Sequence, residues 1–227
     1  MDILTKMRIQ IRERLNPLFA PIRRRKINNP ESLTILSNNC WGGHVYRYFG
    51  IPYNSPTVGM YFYAEDYIKF LSNLNYYLGV DMEMISPTES NHYDDLKINH
   101  QESLSKPIGR IDDVEIVFLH CHSNEEALTK WNRRKARMNL DNLVVKMSEM
   151  NQCSEGLVRA FDALPFERKF IFTTKDYGLN SQVIFKEWSG KDEIKNDTTD
   201  FRKYVNLENW INGISFKLKQ EKWITKR

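Results

Sequence analysis

Cysteine is scarce in this sequence. Three thiols in 227 residues, an odd number without regular spacing, form no disulfide framework and read as free side chains. Long apolar runs are missing as well: nothing approaches the roughly 20 consecutive apolar residues that cross a bilayer. The opening residues lack the continuous apolar core of a secretory signal, because Lys6, Arg8, Arg12, Glu13 and Arg14 interrupt it. These absences point to a cytoplasmic protein. Gly-x-Gly-x-x-Gly and Gly-x-x-x-x-Gly-Lys-Ser/Thr do not occur, which argues against a dinucleotide oxidoreductase or a P-loop nucleotidase. Nor is there the Asp-x-Asp of many metal-dependent sugar-nucleotide transferases. Asp94-Asp95 and Asp112-Asp113 are adjacent pairs whose side chains diverge on an extended chain. Cys-x-x-Cys and His-Glu-x-x-His are absent too; His120-Cys121-His122 alone is a weak zinc pattern, and no metal is expected.

What is present is the composition of a globular chain, 41% hydrophobic and 27% charged. The net charge of +4 is unevenly placed. Residues 1–27 hold eight Lys and Arg against Asp2 and Glu13, so the remaining 200 residues carry a net −2. A basic surface confined to one arm argues against a nucleic-acid partner. In that arm Ile3, Leu4, Met7, Ile11, Leu15 and Leu18 recur at helical spacing, predicting an amphipathic helix that Pro17 and Pro21 end. The favoured reading packs its apolar stripe on the domain; the alternative lays it on an anionic membrane surface, at the inner face of the cell membrane.

Beyond Pro30, apolar and β-branched runs at 32–37, 114–120, 143–147 and 169–173 read as strands, with 183–186 as an edge strand. Helical patterns cover 44–49, 64–78, 124–138, 153–164 and 201–212, and residues 86–110 read as a loop or irregular hairpin. Strand–helix alternation predicts an α/β fold: a mostly parallel central sheet of four or five strands with helices on both faces, a Rossmann-like three-layer sandwich. The organisation expected is an N-terminal helix and arm at 1–30, one α/β domain at 31–215 and a basic tail at 216–227.

In open α/β sheets ligands bind beyond the carboxyl ends of the strands, where strand order reverses. Cys40, His44, His120, His122, Thr173 and Asp176 all follow predicted strands, and Asn38, Asn39, Cys40 and His44 are expected to share a pocket with at least one of His120, His122, Thr173 and Asp176. Asn38 and Asn39 offer amide donors there, and Gly42-Gly43 would let the backbone approach a ligand closely. If a helix begins near Gly43, Cys40 at its positive end would favour a thiolate, with His44 or His120 as base. The alternative is that Cys40 is a small buried apolar group. In the helix after the second predicted strand, Arg133 and Arg134, beside Trp131, could hold a phosphate or present a solvated face.

Several strings carry a resemblance. Leu36-Ser37-Asn38-Asn39-Cys40-Trp41-Gly42-Gly43, residues 55–62, 66–71 and 130–135, and Asn142-Leu143-Val144-Val145 resemble a bacterial family of exopolysaccharide-biosynthesis proteins of unknown activity, over most of residues 32–212. The resemblance implies a place in capsule or exopolysaccharide synthesis and transfers no catalytic residue. Ser37-Asn38-Asn39-Cys40 also resembles the Gly-Asn-Cys-Gln loop of a separate group of capsule enzymes, thought to be coenzyme A-dependent acyltransferases. It departs from that loop in Ser37, the additional Asn and Trp41. The leading expectation is therefore a transferase acting on a sugar or glycan precursor, an acyltransferase with a coenzyme A thioester donor. Cys40 would be its nucleophile or site-lining thiol, and Arg133 and Arg134 would hold the donor's phosphate. The alternatives are a metal-independent glycosyltransferase using a sugar nucleotide, and a non-enzymatic partner in polysaccharide assembly.

Overall fold

The computed structural model describes residues 3–215; the expected basic tail at 216–227 lies outside them, as do the side chains of Ile3 and Leu4. In chain order the helices are α1 (Ile3–Arg24), α2 (Trp41–Phe49), α3 (Ala64–Ser72), α4 (Leu74–Gly79), α5 (Tyr93–Asn99), α6 (Asn124–Lys135), α7 (Glu155–Ala163) and α8 (Leu207–Ile211). The strands are β1 (Thr34–Ser37), β2 (Glu83–Ile85), β3 (Ile108–Ile111), β4 (Val114–Val117), β5 (Leu143–Ser148), β6 (Lys169–Thr173) and β7 (Gln182–Ile184).

The central sheet has the order β1-β5-β6-β7 and every pair in it is parallel. Its strands are covered on both faces, which is why they read as nearly continuous apolar runs. Ile35, Val144, Phe170 and Phe172 point to one face, where α2 and α8 bring Trp41, Tyr46, Phe49 and Trp210. Leu36, Val145, Met147 and Ile171 point to the other, against Tyr67 and Phe70 of α3, Trp131 of α6 and Phe161 of α7. This is the expected α/β arrangement in three layers. The strand order follows the chain without reversal, so the site cannot be placed at a point where strand order reverses.

Three expectations are corrected. The run at 114–120 is not a member of the parallel sheet. Its β4 pairs antiparallel with β3, which pairs with β2, in a second small sheet. Ile111 and Val114 face each other across Asp112-Asp113, with Asp112 at φ 55°, a two-residue hairpin turn of the kind Asp accommodates. Residues 86–110 are not a loop: they hold α5, short 3₁₀ turns at 87–89 and 101–105, and most of β3. Finally, α1 runs through Pro17 and Pro21 to Arg24, and its apolar stripe is not packed on the domain. Met7, Ile11, Leu15, Leu18 and Ile22 are all exposed. No helix among the described residues is long and apolar enough to cross a membrane.

Candidate functional site

The site begins where β1 ends. Asn38 is fully buried; its side-chain oxygen accepts from Ser148 N and its amide donates to Ser148 O, both at 3.0 Å, extending the β1–β5 ladder by a rung of side-chain bonds. Its own amide is thereby committed to the backbone rather than presented to a ligand. Asn39 turns to the opposite face. Its Oδ1 accepts from Ser37 Oγ (2.9 Å), Trp41 N (3.2 Å) and Lys146 Nζ (3.1 Å). Its Nδ2 donates to Asp197 at 2.9 and 3.0 Å. Bonding to Trp41 N satisfies a free N–H of the first turn of α2, so Asn39 caps the helix in which Cys40 holds the N-cap position. Gly42 and Gly43 are buried. A Cβ on Gly42 would meet Ile35 and Ser37 at 3.5 Å, and one on Gly43 would meet Val58 at 3.2 Å. The pair lets α2 sit close on β1 and the neighbouring loop, which corrects the expectation that it admits a ligand.

Beneath Cys40 lies a charged pair. Lys146, in the middle of β5, and Asp197 are both fully buried and ion-paired, and Ser148 Oγ donates to Asp197 at 2.6 Å. Burial pushes the Asp197 carboxyl up. Lys146, with the hydrogen bonds from Lys146, Ser148 and Asn39, outweighs that and holds it below the usual carboxylate range. The Lys146 ammonium also lies 5.5 Å from the ring centre of Trp41 and 5.7 Å from that of Phe172, within cation–π range.

Above the pair, two side chains from distant elements meet. Cys40 Sγ lies 3.7 Å from His120 Nε2 and 3.8 Å from the Met60 carbonyl oxygen. His120 arrives there by way of the segment 59–62. Tyr61 and Val117 exchange backbone bonds, Phe62 N donates to Asn38 O, and His120 N donates to Gly59 O at 3.2 Å. Gly59 has φ +82°, a backbone conformation that favours glycine, and a Cβ there would reach the His120 side chain only at ordinary contact distance, 3.4–3.5 Å. Cys40 is partly exposed and His120 exposed. Burial, then Asp197, pushes the Cys40 thiol up to about 11. That corrects the expectation of a thiolate: burial and Asp197 outweigh Lys146 and Arg47, which act the other way. Burial, then Lys106, Lys130 and Arg47, lowers His120, so at neutral pH the pair is a thiol facing an uncharged imidazole.

His44, on the next turn of α2, contacts Arg47 at 3.0 Å, and burial followed by Arg47 lowers its pKa. Both line a cavity of about 700 Å³ between α1 and α2, together with Arg202, Tyr48, Tyr53 and Phe201. Glu13 of α1 also lines it, 4.0 Å from Arg47, so the cavity carries two arginines and one carboxylate among aromatic rings, a net positive lining that suits an anionic ligand with an apolar part.

The remaining expected site residues are placed differently. Trp131 is core, with Phe70 and Phe118 packed edge-on. Arg134 is buried, its Nη1 donating to Val58 O at 2.5 Å and its guanidinium over Tyr53; Arg133 is exposed. Burial of one arginine by its neighbours removes the anion-binding pair expected there. His122 is exposed and held by its backbone N–H on Glu126. Thr173 is fully buried in the sheet. Asp176 Oδ1 accepts from Gly178 N and Gln182 Nε2, both at 2.8 Å, closing a turn. Among the described residues no three His, Cys, Asp or Glu side chains group as metal ligands do. Sequence reasoning missed Lys146 and Asp197. A lysine inside Val144-Val145-Lys146-Met147 did carry a signal, since a charge in a strand covered on both faces needs a partner; Asp197, in a polar stretch, carried none.

Comparison with known proteins adds the following. A family profile described as a domain of unknown function, DUF1919, matches residues 11–216. A protein of Haemophilus influenzae described as uncharacterized is 32% identical over 222 residues, an alignment covering 91% of this chain and 99% of that protein.

Proposed function

As this chain belongs to the DUF1919 family, we propose its function from its own geometry: it transfers an acyl group from a coenzyme A thioester to a hydroxyl of a sugar or glycan precursor. The observation that carries the reading is Cys40 Sγ at 3.7 Å from His120 Nε2. A nucleophile and a base from distant elements, within reach of each other, are the minimum that acyl transfer through a covalent intermediate requires. With the thiol protonated, attack is coupled to proton loss. As Sγ bonds to the thioester carbonyl carbon, its proton passes to Nε2; the carbonyl–sulfur bond to coenzyme A breaks, and the leaving thiolate takes that proton back. The acceptor hydroxyl then attacks the Cys40 thioester, giving its proton to His120, and the restored Cys40 thiol leaves with it. The Lys146–Asp197–Asn39 network fixes the start of α2 and so the position of Sγ. The donor's phosphates are assigned to Arg47 and Arg202 in the adjoining cavity, in place of Arg133 and Arg134. The place of this chemistry in capsule or exopolysaccharide synthesis rests on the likeness of the 36–43 loop.

The test is intact-mass spectrometry after incubation with acetyl-coenzyme A, alongside thermal-shift titration. Acetyl-coenzyme A is expected to raise the melting temperature and to acylate wild type but not Cys40→Ala. His120→Ala should bind the donor and acylate at least about 100-fold more slowly. A melting temperature raised by sugar nucleotides but not by acetyl-coenzyme A, with no acylation, would overturn the proposal in favour of glycosyl transfer.

A further inference from the structure

α1 is held to the body along one side. Its Ala20 is buried so near α2 that a Cβ on Gly50 would stand 2.9 Å from the Ala20 Cβ. Asn16 Nδ2 and Arg23 Nη1 donate to the carbonyls of Arg47 and Tyr48. At about 3.6 residues per turn, the opposite side carries Met7, Ile11, Leu15, Leu18 and Ile22, with Phe19 at its edge. All six are exposed, Leu18 at 69% and Ile22 at 56%. About four turns of apolar stripe facing water invert the usual packing of an amphipathic helix. The chain's basic surplus lies on the same segment, with Arg14 exposed on the flank of the stripe and Arg25 and Lys26 exposed just past its end.

We propose that this face of α1 docks on an anionic lipid bilayer. The helix axis lies in the plane of the surface, the stripe enters the boundary between headgroups and acyl chains, and Arg14, Arg25 and Lys26 meet the lipid phosphates. Charge singles out this occupant: a second copy would bring two equally basic segments together, whereas anionic headgroups complement them. The inference does not depend on the transferase reading.

Co-sedimentation of the full chain with vesicles tests it. Wild type is expected to bind vesicles of equal parts phosphatidylcholine and phosphatidylglycerol and to leave those of phosphatidylcholine alone. Arg14→Gln, Arg25→Gln and Lys26→Gln should each weaken binding by about fivefold. Leu18→Glu/Ile22→Glu should abolish it while the melting temperature stays at the wild-type value, since both side chains are already in water. Failure of wild type to bind the anionic vesicles overturns the proposal, as does unchanged binding by Leu18→Glu/Ile22→Glu. A dimer in solution that these substitutions disperse, without vesicle binding, gives the face to a second copy.

Discussion

Removing the Asp197 carboxylate leaves the Lys146 ammonium inside the fold with Asn39 Oδ1 at 3.1 Å as its remaining oxygen partner. Breaking a buried ion pair from one side costs about 3–5 kcal/mol, because the surviving charge stays desolvated. In a protein of this size each kcal/mol moves the melting temperature by about 2–4 °C, so Asp197→Ala is expected to lower it by roughly 6–20 °C. Lys146→Met should cost less, since Ser148 and Asn39 still donate to Asp197. The double variant Lys146→Met/Asp197→Ala buries no charge and should recover at least about 1 kcal/mol of the summed single losses. The pH dependence has a definite sign. The Asp197 carboxyl is held below its ordinary value of 3.8 in the folded state, so its stabilisation is fully present above that value and is lost as pH falls through the folded one. Asp197→Ala should therefore have a flatter stability profile below about pH 4. Thermal and urea unfolding of the four proteins measure all of this. A single-variant loss under about 1 kcal/mol, or strict additivity in the double variant, would refute the account of the pair.

Alkylation of Cys40 by iodoacetamide should be slow at neutral pH and still accelerating above pH 9, because its thiol is pushed up to about 11; a rate that levels off near pH 7 contradicts the burial argument. Gly59→Ala is expected to cost about 1–2 kcal/mol for its positive φ, read by urea unfolding, since the added methyl meets His120 only at ordinary contact distance; a neutral effect would show that the glycine is not needed. Trp131→Ala should cost about 3–5 kcal/mol as a core truncation, whereas Arg133→Gln should stay within about 0.5 kcal/mol of wild type, both by urea unfolding. Loss of donor binding in Arg133→Gln, measured by thermal shift, would return that helix to the site.

The four parallel strands were readable because strands covered on both faces show as apolar runs between turn residues. Val114–Val117 reads as a strand on the same grounds, but a run of buried residues does not state which sheet it joins. The Ile-Asp-Asp-Val hairpin turn, which does, was passed over. Cys40 and His120 each follow a strand, and both were legible as site candidates. What brings them together is the Tyr61–Val117 bridge, a single pairing that no local pattern announces. Arg134 shows the opposite failure: its place beside Arg133 suggested a phosphate-binding pair, while its burial is decided by the loop at Val58, whose carbonyl it bonds. The apolar stripe of α1 was visible in the sequence, and its exposure was not, because periodicity identifies a face without naming what covers it.

The Lys146–Asp197 pair also orders events during synthesis. The two residues are 51 positions apart, and Asn39 and Asp197 are 158 apart. At about 5–20 residues per second on the ribosome, Lys146 leaves the exit tunnel roughly 3–10 s before its counter-charge does. Through that interval the nascent chain contains β1, β5 and Trp41 of α2, but neither Asp197 nor the Trp210 that helps to cover the face carrying Lys146. The helix that completes the cover of that face, α8 (Leu207–Ile211), begins ten residues after Asp197, so the ammonium meets its counter-charge before the face is closed over it.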